Sequence, residues 1–299
     1  MAVQVLLEAL TLRYLSSFGQ QDGLGKPCGI AIGPSNVIYV ADAGYGRVVR
    51  FSENGTFLDS FCEAERGWLN RIFGGTIGGG RSPTGIAIDG EGCSWIAYAI
   101  GDSISKFDPA GRLMLTFGHK GNGEGEFDRP RSVALDRDGC VWVVDAYNHR
   151  VQKFDPAGRF LMAFGHKGSD PAGEGAFDNP SALAFDERGF VHVTDSHNER
   201  VQVFDPDGRF VGQFGSWGQG DGQLRFPRGI AIDRGVTFVT ESRNHRVQAF
   251  DRDGRFLASL GSEGSGDGQF NQPYGVAVLG RELLVADNQN QRIVRLGLY

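Results

Sequence analysis

The sequence consists largely of a unit that repeats six times. A segment related to Pro-x-Gly-Ile-Ala-Ile begins at six prolines: Pro27, Pro83, Pro130, Pro180, Pro227 and Pro273. Successive prolines lie 46 to 56 residues apart. Self-similarity at this period is typical of propellers and other repeat architectures. The repeat therefore restricts the fold more than any other feature of the chain.

Each unit has the pattern of four short strands. In the third unit the runs PRSVALD, CVWVVD, RVQKFD and RFLMAFG are rich in β-branched and aromatic residues. Asp-Gly and Pro-Ala-Gly turns separate them, and no helical period is present. Six such units predict an all-β fold: a closed six-bladed β-propeller of four-stranded antiparallel blades, with residues 1–299 as a single domain.

The two ends of the chain predict how the ring closes. The last unit reaches Tyr299 after only three strands, so it lacks its fourth strand. Residues 13–19 (RYLSSFG) align with the fourth strand of the third unit, residues 159–165 (RFLMAFG). We expect this N-terminal strand to complete the last blade, because closure removes exposed sheet edges.

The units VVDAYNHRVQKFDPAGRF and VTDSHNERVQVFDPDGRF resemble NHL repeats, whose core is D-x-x-N-x-R-[IV]-x-x-F. The resemblance covers essentially the whole chain and implies the propeller fold. NHL proteins include amidating lyases, RNA-binding modules and extracellular sensor domains, so the resemblance does not imply one function.

The acid and the arginine of this core occur together. Five units carry both: Asp42/Arg47, Asp145/Arg150, Asp195/Arg200, Glu241/Arg246 and Asp287/Arg292. The second unit has Tyr98 and Ser103 at the two positions. Joint loss predicts that the two side chains meet, since one partner left alone would be an uncompensated charge. We expect these pairs to serve the scaffold.

Composition restricts cellular context and partners. Thirty basic and thirty-six acidic residues give a net charge of −6, which disfavours general nucleic-acid binding. Four cysteines are too few for a disulfide scaffold. No apolar run is long enough to span a bilayer, and no signal peptide is evident. We expect a cytoplasmic protein without membrane contact, whose oligomeric state the sequence leaves open.

Two positions in each unit are predicted to face one mouth of the central channel. The residues after the repeat prolines are Cys28, Thr84, Arg131, Ser181, Arg228 and Tyr274. The residues two beyond the acid position are Gly44, Ile100, Tyr147, His197, Arg243 and Gln289. These twelve vary from unit to unit while the intervening strands repeat, which favours a site there.

The chemistry of these positions favours anions. Arg131, Arg228 and Arg243 have no acidic counterpart among the twelve, and guanidinium groups suit carboxylates and phosphates. We therefore predict that the substrate-binding residues are Arg131, Arg228, Arg243, Tyr147, Cys28, Thr84 and Ser181. The candidate catalytic residues are Tyr98, His197 and Tyr274, with Cys28 as a less favoured nucleophile.

The second unit also follows the longest link, residues 62–82. Its position on the same side as the mouth, with apolar residues and a glycine-rich tail, suggests a lid. The alternative is a repeat that has drifted and carries a longer loop without function.

No metal or cofactor is expected. Zinc in the amidating lyases that this chain resembles is held by three histidines, some directly after the repeat proline, and that position holds none here. Lactonase-like propellers use carboxylates at the mouth, and none of the twelve positions is acidic. The cysteines lack CxxC spacing.

Three functions remain open. The first is binding of an anionic small molecule or peptide at the mouth. The second is a metal-independent lyase, isomerase or hydrolase with its active site in the same place. The third, less favoured, is binding of single-stranded RNA, with Tyr147, Tyr274 and Trp217 as stacking surfaces.

Overall fold

Six four-stranded antiparallel sheets form the blades of this computed structural model, which describes residues 10–62, 81–168 and 173–299. In five sheets the strands follow one another in chain order, and the first strand of each lines a central channel. The predicted six-bladed propeller is confirmed. The described residues contain no helix long and apolar enough to cross a bilayer.

The strands have the following bounds. Blade 1 comprises β2 (Pro27–Ile32), β3 (Ile38–Asp42), β4 (Arg47–Phe51) and β5 (Phe57–Phe61). Blade 2 comprises β6 (Ser82–Ile88), β7 (Ser94–Ile100), β8 (Ser103–Phe107) and β9 (Leu113–Phe117). Blade 3 comprises β10 (Pro130–Leu135), β11 (Val141–Asp145), β12 (Arg150–Phe154) and β13 (Phe160–Phe164). A parallel pair, β14 (His166–Lys167) and β15 (Ala176–Phe177), lies in the link to blade 4.

The remaining blades have the same form. Blade 4 comprises β16 (Pro180–Phe185), β17 (Val191–Asp195), β18 (Arg200–Phe204) and β19 (Phe210–Phe214). Blade 5 comprises β20 (Pro227–Asp233), β21 (Val236–Glu241), β22 (Arg246–Phe250) and β23 (Phe256–Leu260). Blade 6 comprises β24 (Pro273–Leu279), β25 (Glu282–Asp287), β26 (Arg292–Leu298) and β1 (Leu12–Phe18). Two 3-10 turns span Pro34–Asn36 and Ala146–Asn148.

The ring closes as the repeat predicts. Strand β1 pairs antiparallel with β26, so that Leu12 lies opposite Leu298 and Phe18 lies opposite Ile293. The first and last parts of the chain therefore share blade 6. Leu12 is buried in the core between blades 5 and 6. This pairing covers the outer edge that β26 would otherwise expose.

The hydrophobic core lies between blades. Each of the six buried clusters among the described residues joins two adjacent blades. Trp95 and Trp142, for example, pack against the following blade, and each donates its indole N–H to the Asp that precedes its strand, Asp89 or Asp136. A blade thus buries its faces only by stacking on its neighbours.

The glycine-rich links add a buried anchor to this core. Five link residues are almost fully buried: Leu24, Phe127, Phe177, Leu224 and Phe270. Phe127 packs against Phe117 and Phe154. Gly118 has a φ of +84°, and a Cβ there would lie 2.3 Å from the Phe127 ring, so only glycine fits.

The acid and arginine of the five complete units meet, as their joint occurrence predicts. Their closest N–O distances range from 2.6 to 3.3 Å: Arg47–Asp42, Arg150–Asp145, Arg200–Asp195, Arg246–Glu241 and Arg292–Asp287. The buried Asp145 carboxylate also accepts hydrogen bonds from Asn148, Gln152 and the Asp128 amide. Arg150 donates to link carbonyls, including that of Glu126. The pair therefore fastens the link to its blade.

In blade 2, Tyr98 stands in place of the acid, and its contacts replace the acid–arginine network. Tyr98 pairs with Ser103 across β7 and β8, as the repeat alignment requires. Its hydroxyl lies 2.5 Å from Cys62 Sγ, and the Arg81 guanidinium lies 5.3 Å from its ring. Residues 63–80 of the proposed lid lie outside the described residues, so the lid stays a prediction.

Candidate ligand site at the channel mouth

The six residues that follow the repeat prolines converge on one cavity. Each lies near the start of an innermost strand, and all six line a space of about 410 Å³ along the axis of the ring. We call them the mouth ring: Cys28, Thr84, Arg131, Ser181, Arg228 and Tyr274. The structure thus brings together every candidate that the sequence placed after a repeat proline. Their roles in binding or catalysis stay predictions.

Small residues allow the innermost strands to approach each other closely. The second residue after the proline is glycine in blades 1, 2, 5 and 6, but Ser132 in blade 3 and Ala182 in blade 4. A Cβ on Gly85 would lie 2.7 Å from the carbonyl oxygen of Arg131. A side chain there would push blades 2 and 3 apart and disturb the backbone that carries Arg131.

Two arginines of the mouth ring point at the same oxygen. Arg131 of blade 3 and Arg228 of blade 5 each donate from Nη1 to Ser181 Oγ of blade 4, both at 3.2 Å. We call these two residues the arginine pair. Like charges repel, so this convergence requires a scaffold that holds both side chains in place.

Ser181 is oriented to accept from both arginines. Its Oγ lies 2.6 Å from Ser196 Oγ, which lies 2.6 Å from the carbonyl oxygen of Pro227. Ser196 Oγ is the donor toward both acceptors and serves one of them at a time. Because arginine side chains carry only donors, Ser181 Oγ is the acceptor toward the arginine pair.

Aromatic rings hold Arg228 from two sides. Its Cζ lies 4.6 Å from the centre of the Phe226 ring and 4.9 Å from that of Tyr274. Such cation–π contacts fix the plane of the guanidinium and leave its N–H groups free at the edge. The Nε atom of Arg228 is buried and has no hydrogen-bond partner.

No carboxylate of the described residues forms an ion pair with the arginine pair. None of the ion pairs that the described residues form includes Arg131, Arg228 or Arg243. Burial, and then repulsion from Arg228, lower the pKa of Arg131. The arginine pair is thus a half-buried dication whose counter-charge does not come from the described part of the chain.

The loop candidates form an outer rim. All six are exposed and none lines the cavity: Gly44, Ile100, Tyr147, His197, Arg243 and Gln289. Tyr147 contacts the mouth ring, since its ring centre lies 5.8 Å from Arg131 Cζ. Arg243 lies 5.5 Å from the Phe226 ring, on which Arg228 also stacks. The rim therefore contacts the mouth ring without forming part of it.

The charge of the arginine pair affects the pKa of His197. Burial lowers the pKa of His197, the nearby Asp178 carboxylate opposes this, and Arg131 and Arg228 lower it further. Its Nε2 lies 2.8 Å from the Asn179 amide. These effects favour the neutral form of the imidazole.

Two other candidates, Tyr98 and Cys28, have buried side chains, and their predicted roles stay predictions. Tyr98 is fully buried between blades 1 and 2 and is not among the residues that line the cavity. Cys28 does line the cavity, but burial raises the pKa of its thiol to about 12. A neutral thiol is a poor nucleophile. Thr84, another residue of the mouth ring, can donate its Oγ1 hydrogen to the carbonyl oxygen of Ala97 or of Pro130, each 3.3 Å away.

The described residues do not fit a metal ion. Nowhere among them do three His, Cys, Asp or Glu side chains gather as ligands. Two histidines of the repeat instead accept backbone hydrogen bonds across blade junctions. His149 Nδ1 accepts from the Asn179 amide, and His245 Nδ1 accepts from the Gln272 amide. These two imidazoles therefore connect neighbouring blades.

Sequence reasoning missed two residues of the site. Phe226 stacks on Arg228 from the position just before the repeat proline, with a φ of +54°. Ser196 orients Ser181 from the position just after the acid. The signal that could have found Phe226 is its bulk, because the corresponding residue in the other units is polar.

Comparison with known proteins supports the fold. Residues 127–154 match the family model of the NHL repeat. A search of curated proteins found no significant match to the sequence. Many solved structures share the fold.

Three of these structures illustrate the range of relatives. A gluconolactonase from Xanthomonas campestris has a TM-score of 0.70 at 19% identity, covering 100% of this chain and 93% of its own. Virginiamycin B lyase from Staphylococcus aureus has a TM-score of 0.64 at 11% identity, covering 97% and 100%. A chain of a nidogen–laminin complex has a TM-score of 0.62 at 17% identity, covering 88% and 86%. The chain is therefore a six-bladed β-propeller that carries an NHL repeat.

Proposed function

We propose that the mouth ring binds an anionic small molecule or a peptide carboxylate. The observation that carries this proposal is the arginine pair, which has no carboxylate partner among the described residues and includes a buried, unpaired Nε–H. A buried charge without a partner is costly, so an anionic ligand would relieve both the repulsion and the unsatisfied donor. The planar guanidinium suits carboxylate or phosphate oxygens.

A second candidate is an enzyme with its active site at the same mouth. The fold similarity to a gluconolactonase and to a streptogramin-type lyase is compatible with catalysis. His197, held neutral near the arginine pair, supplies a base for a substrate whose acid group the arginines bind. No pairing of this base with a nucleophile supports a particular reaction, so binding remains the first proposal.

Ligand-induced stabilisation tests the first proposal. Acetate, benzoate, inorganic phosphate and triglycine are titrated at low ionic strength, with melting temperature and calorimetry as readouts. Charged hydrogen bonds contribute about 1.5–3 kcal/mol each, so Arg131→Ala or Arg228→Ala should weaken binding roughly 10- to 150-fold. Replacement by lysine should restore only part of it, because a point charge lacks the planar fork.

The matched control is Arg209→Ala, which removes an exposed arginine that pairs with Asp205 and Asp207 on the outer side of blade 4. Arg243→Ala removes a rim charge outside the cavity and should have a smaller effect than the arginine pair. If Arg131→Ala and Arg228→Ala behave like the control, the anion site is wrong. If a substrate is found, His197→Ala should abolish turnover and retain binding.

A further inference from the structure

Next to the mouth ring, the side chains that line the channel change from mostly polar to aliphatic. The third residue after each repeat proline is aliphatic, and all six line the cavity: Ile30, Ile86, Val133, Leu183, Ile230 and Val276. We call them the aliphatic ring. Each is between 4 and 8% exposed. A register shift in each innermost strand falls between the repeat proline and the third residue after it, so simple alternation of side chains does not apply there. Both rings nevertheless line the same cavity, at successive positions of the innermost strands.

The apolar wall continues past the aliphatic ring. Ile88, Leu135 and Phe185 line the same cavity two residues further along their strands. Among the described residues that line the cavity, Arg131 and Arg228 alone carry a charge, and both belong to the mouth ring. The charge of the cavity therefore lies at one end. Beyond the mouth ring, every lining side chain except that of Ser132 is aliphatic or aromatic, and glycines complete the lining.

We infer that the ligand of this site is amphipathic: an anionic head group bound by the arginine pair, with an apolar chain or ring inserted into the channel along the aliphatic ring. This inference rests on the proposed function, because the head group is the anion proposed above. A cavity of about 410 Å³ is within the size range of small-molecule sites.

The same geometry selects against strongly hydroxylated anions. A sugar acid or a polyol phosphate that entered the channel would bring hydroxyl groups against aliphatic side chains that offer no hydrogen bonds. An alkyl or aromatic body gains from leaving water at that place, whereas a polar body loses its hydration. The arginine pair therefore provides charge selection, and the aliphatic ring provides selection for an apolar body.

A homologous ligand series tests the inference on the unmodified protein. Acetate, butanoate, hexanoate and octanoate are titrated by calorimetry, with the alkylammonium ions of equal length as controls. Each methylene that enters the channel should tighten binding about 3- to 4-fold until the wall is covered. Arg131→Ala should weaken all the carboxylates that bind by a similar factor, whereas Arg209→Ala should change none.

A substitution in the wall separates the two parts of the site. Val133→Thr keeps the side-chain shape and places a hydroxyl in the aliphatic ring, so it should weaken octanoate and leave acetate unchanged. If carboxylates bind with dependence on Arg131 but without dependence on chain length, the amphipathic inference is overturned and the anion site stands. If alkylammonium ions bind as well as carboxylates and Arg131→Ala has no effect, the proposed function itself is overturned.

Discussion

His192 and Arg228 both have buried side-chain nitrogens without hydrogen-bond partners. Arg228 faces the cavity, where a ligand can supply the missing acceptor. His192 lies between blades 4 and 5, beside Ile232 and Thr237, and 3.9 Å from Asp186 Oδ2, which is too far for a hydrogen bond. An anionic ligand would supply the acceptor that Arg228 lacks, whereas burial disfavours the charged form of His192.

The buried His192 predicts a loss of stability in acid. Burial lowers the pKa of His192 to about 4, from an ordinary value of 6.5. Between these values the unfolded chain binds the proton and the folded chain does not, so stability falls as pH drops from 6.5 to 4. This group contributes at most about 3 kcal/mol to that fall.

His192→Phe isolates this contribution, because Phe238 fills the equivalent position in blade 5. Chemical denaturation at pH 7 and pH 4.5 gives the change in unfolding free energy for each protein. We expect the variant to lose less stability than the original protein between these values. An equal loss would mean that His192 is protonated in the folded state.

The contacts of individual side chains are the part of the structure that the sequence predicts least. Tyr98 replaces an acid that is buried in the other units, so it occupies the same buried position between blades rather than the mouth. Phe226 stacks on Arg228 from two residues away, and Ser196 contacts Ser181 within the same blade. The residue before the repeat proline and the residue after the acid both vary from unit to unit, so these roles follow only from the folded geometry.

At the scale of the element, we expect the acid–arginine pair to be the part of a blade whose substitution lowers stability most. Arg150→Ala would leave the Asp145 carboxylate fully buried without its cation and would free the link carbonyls that Arg150 binds. Removing one partner of a buried pair costs about 3–5 kcal/mol. We expect a fall of that size in the free energy of unfolding, measured with urea.

The double variant Asp145→Asn/Arg150→Ala provides the control. With the carboxylate neutralised, the cost of losing Arg150 should shrink, so the double variant should be more stable than the sum of the two single changes predicts. Strict additivity would show that the two side chains do not depend on each other.

Deleting residues 1–19 removes strand β1 and exposes the outer edge of β26. It also removes Leu12 from the core between blades 5 and 6. We expect aggregation, which light scattering measures, or a large fall in melting temperature, which thermal denaturation measures. Deletion of residues 1–9 keeps all of β1 and serves as the control. A monomeric truncated protein with an unchanged melting curve would contradict the role of β1 in closure.

The elements themselves were predictable because each is specified locally. The repeat prolines open the innermost strands, Asp-Gly turns separate the strands, and the similarity of residues 13–19 to a fourth strand predicts closure. The mouth ring followed from the same reasoning, since a fixed position in each repeat must occupy a fixed place in the ring. The loop positions, in contrast, are exposed and do not line the cavity, which their fixed place in the repeat did not predict.

For the whole molecule, a net charge of −6 contrasts with an arginine pair on the ring axis that has no carboxylate partner among the described residues. If the proposed anion site is correct, this contrast would favour small anions over polyanions, which the acidic remainder of the molecule would repel. Structural relatives with this fold include enzymes and a chain from a binding complex. Fold alone therefore leaves the choice of function to the site.

A crystal structure with 4-bromobenzoate tests the central claim most directly, because the carboxylate and the bromine mark the two ends of the ligand. We expect the carboxylate to lie on the guanidinium groups of Arg131 and Arg228. The anomalous signal of the bromine should lie beside the aliphatic ring. Crystals of Arg131→Ala treated in the same way should lose the ligand. Bromobenzoate bound elsewhere while the channel holds none, or bound in the channel with its carboxylate away from both arginines, would contradict the account.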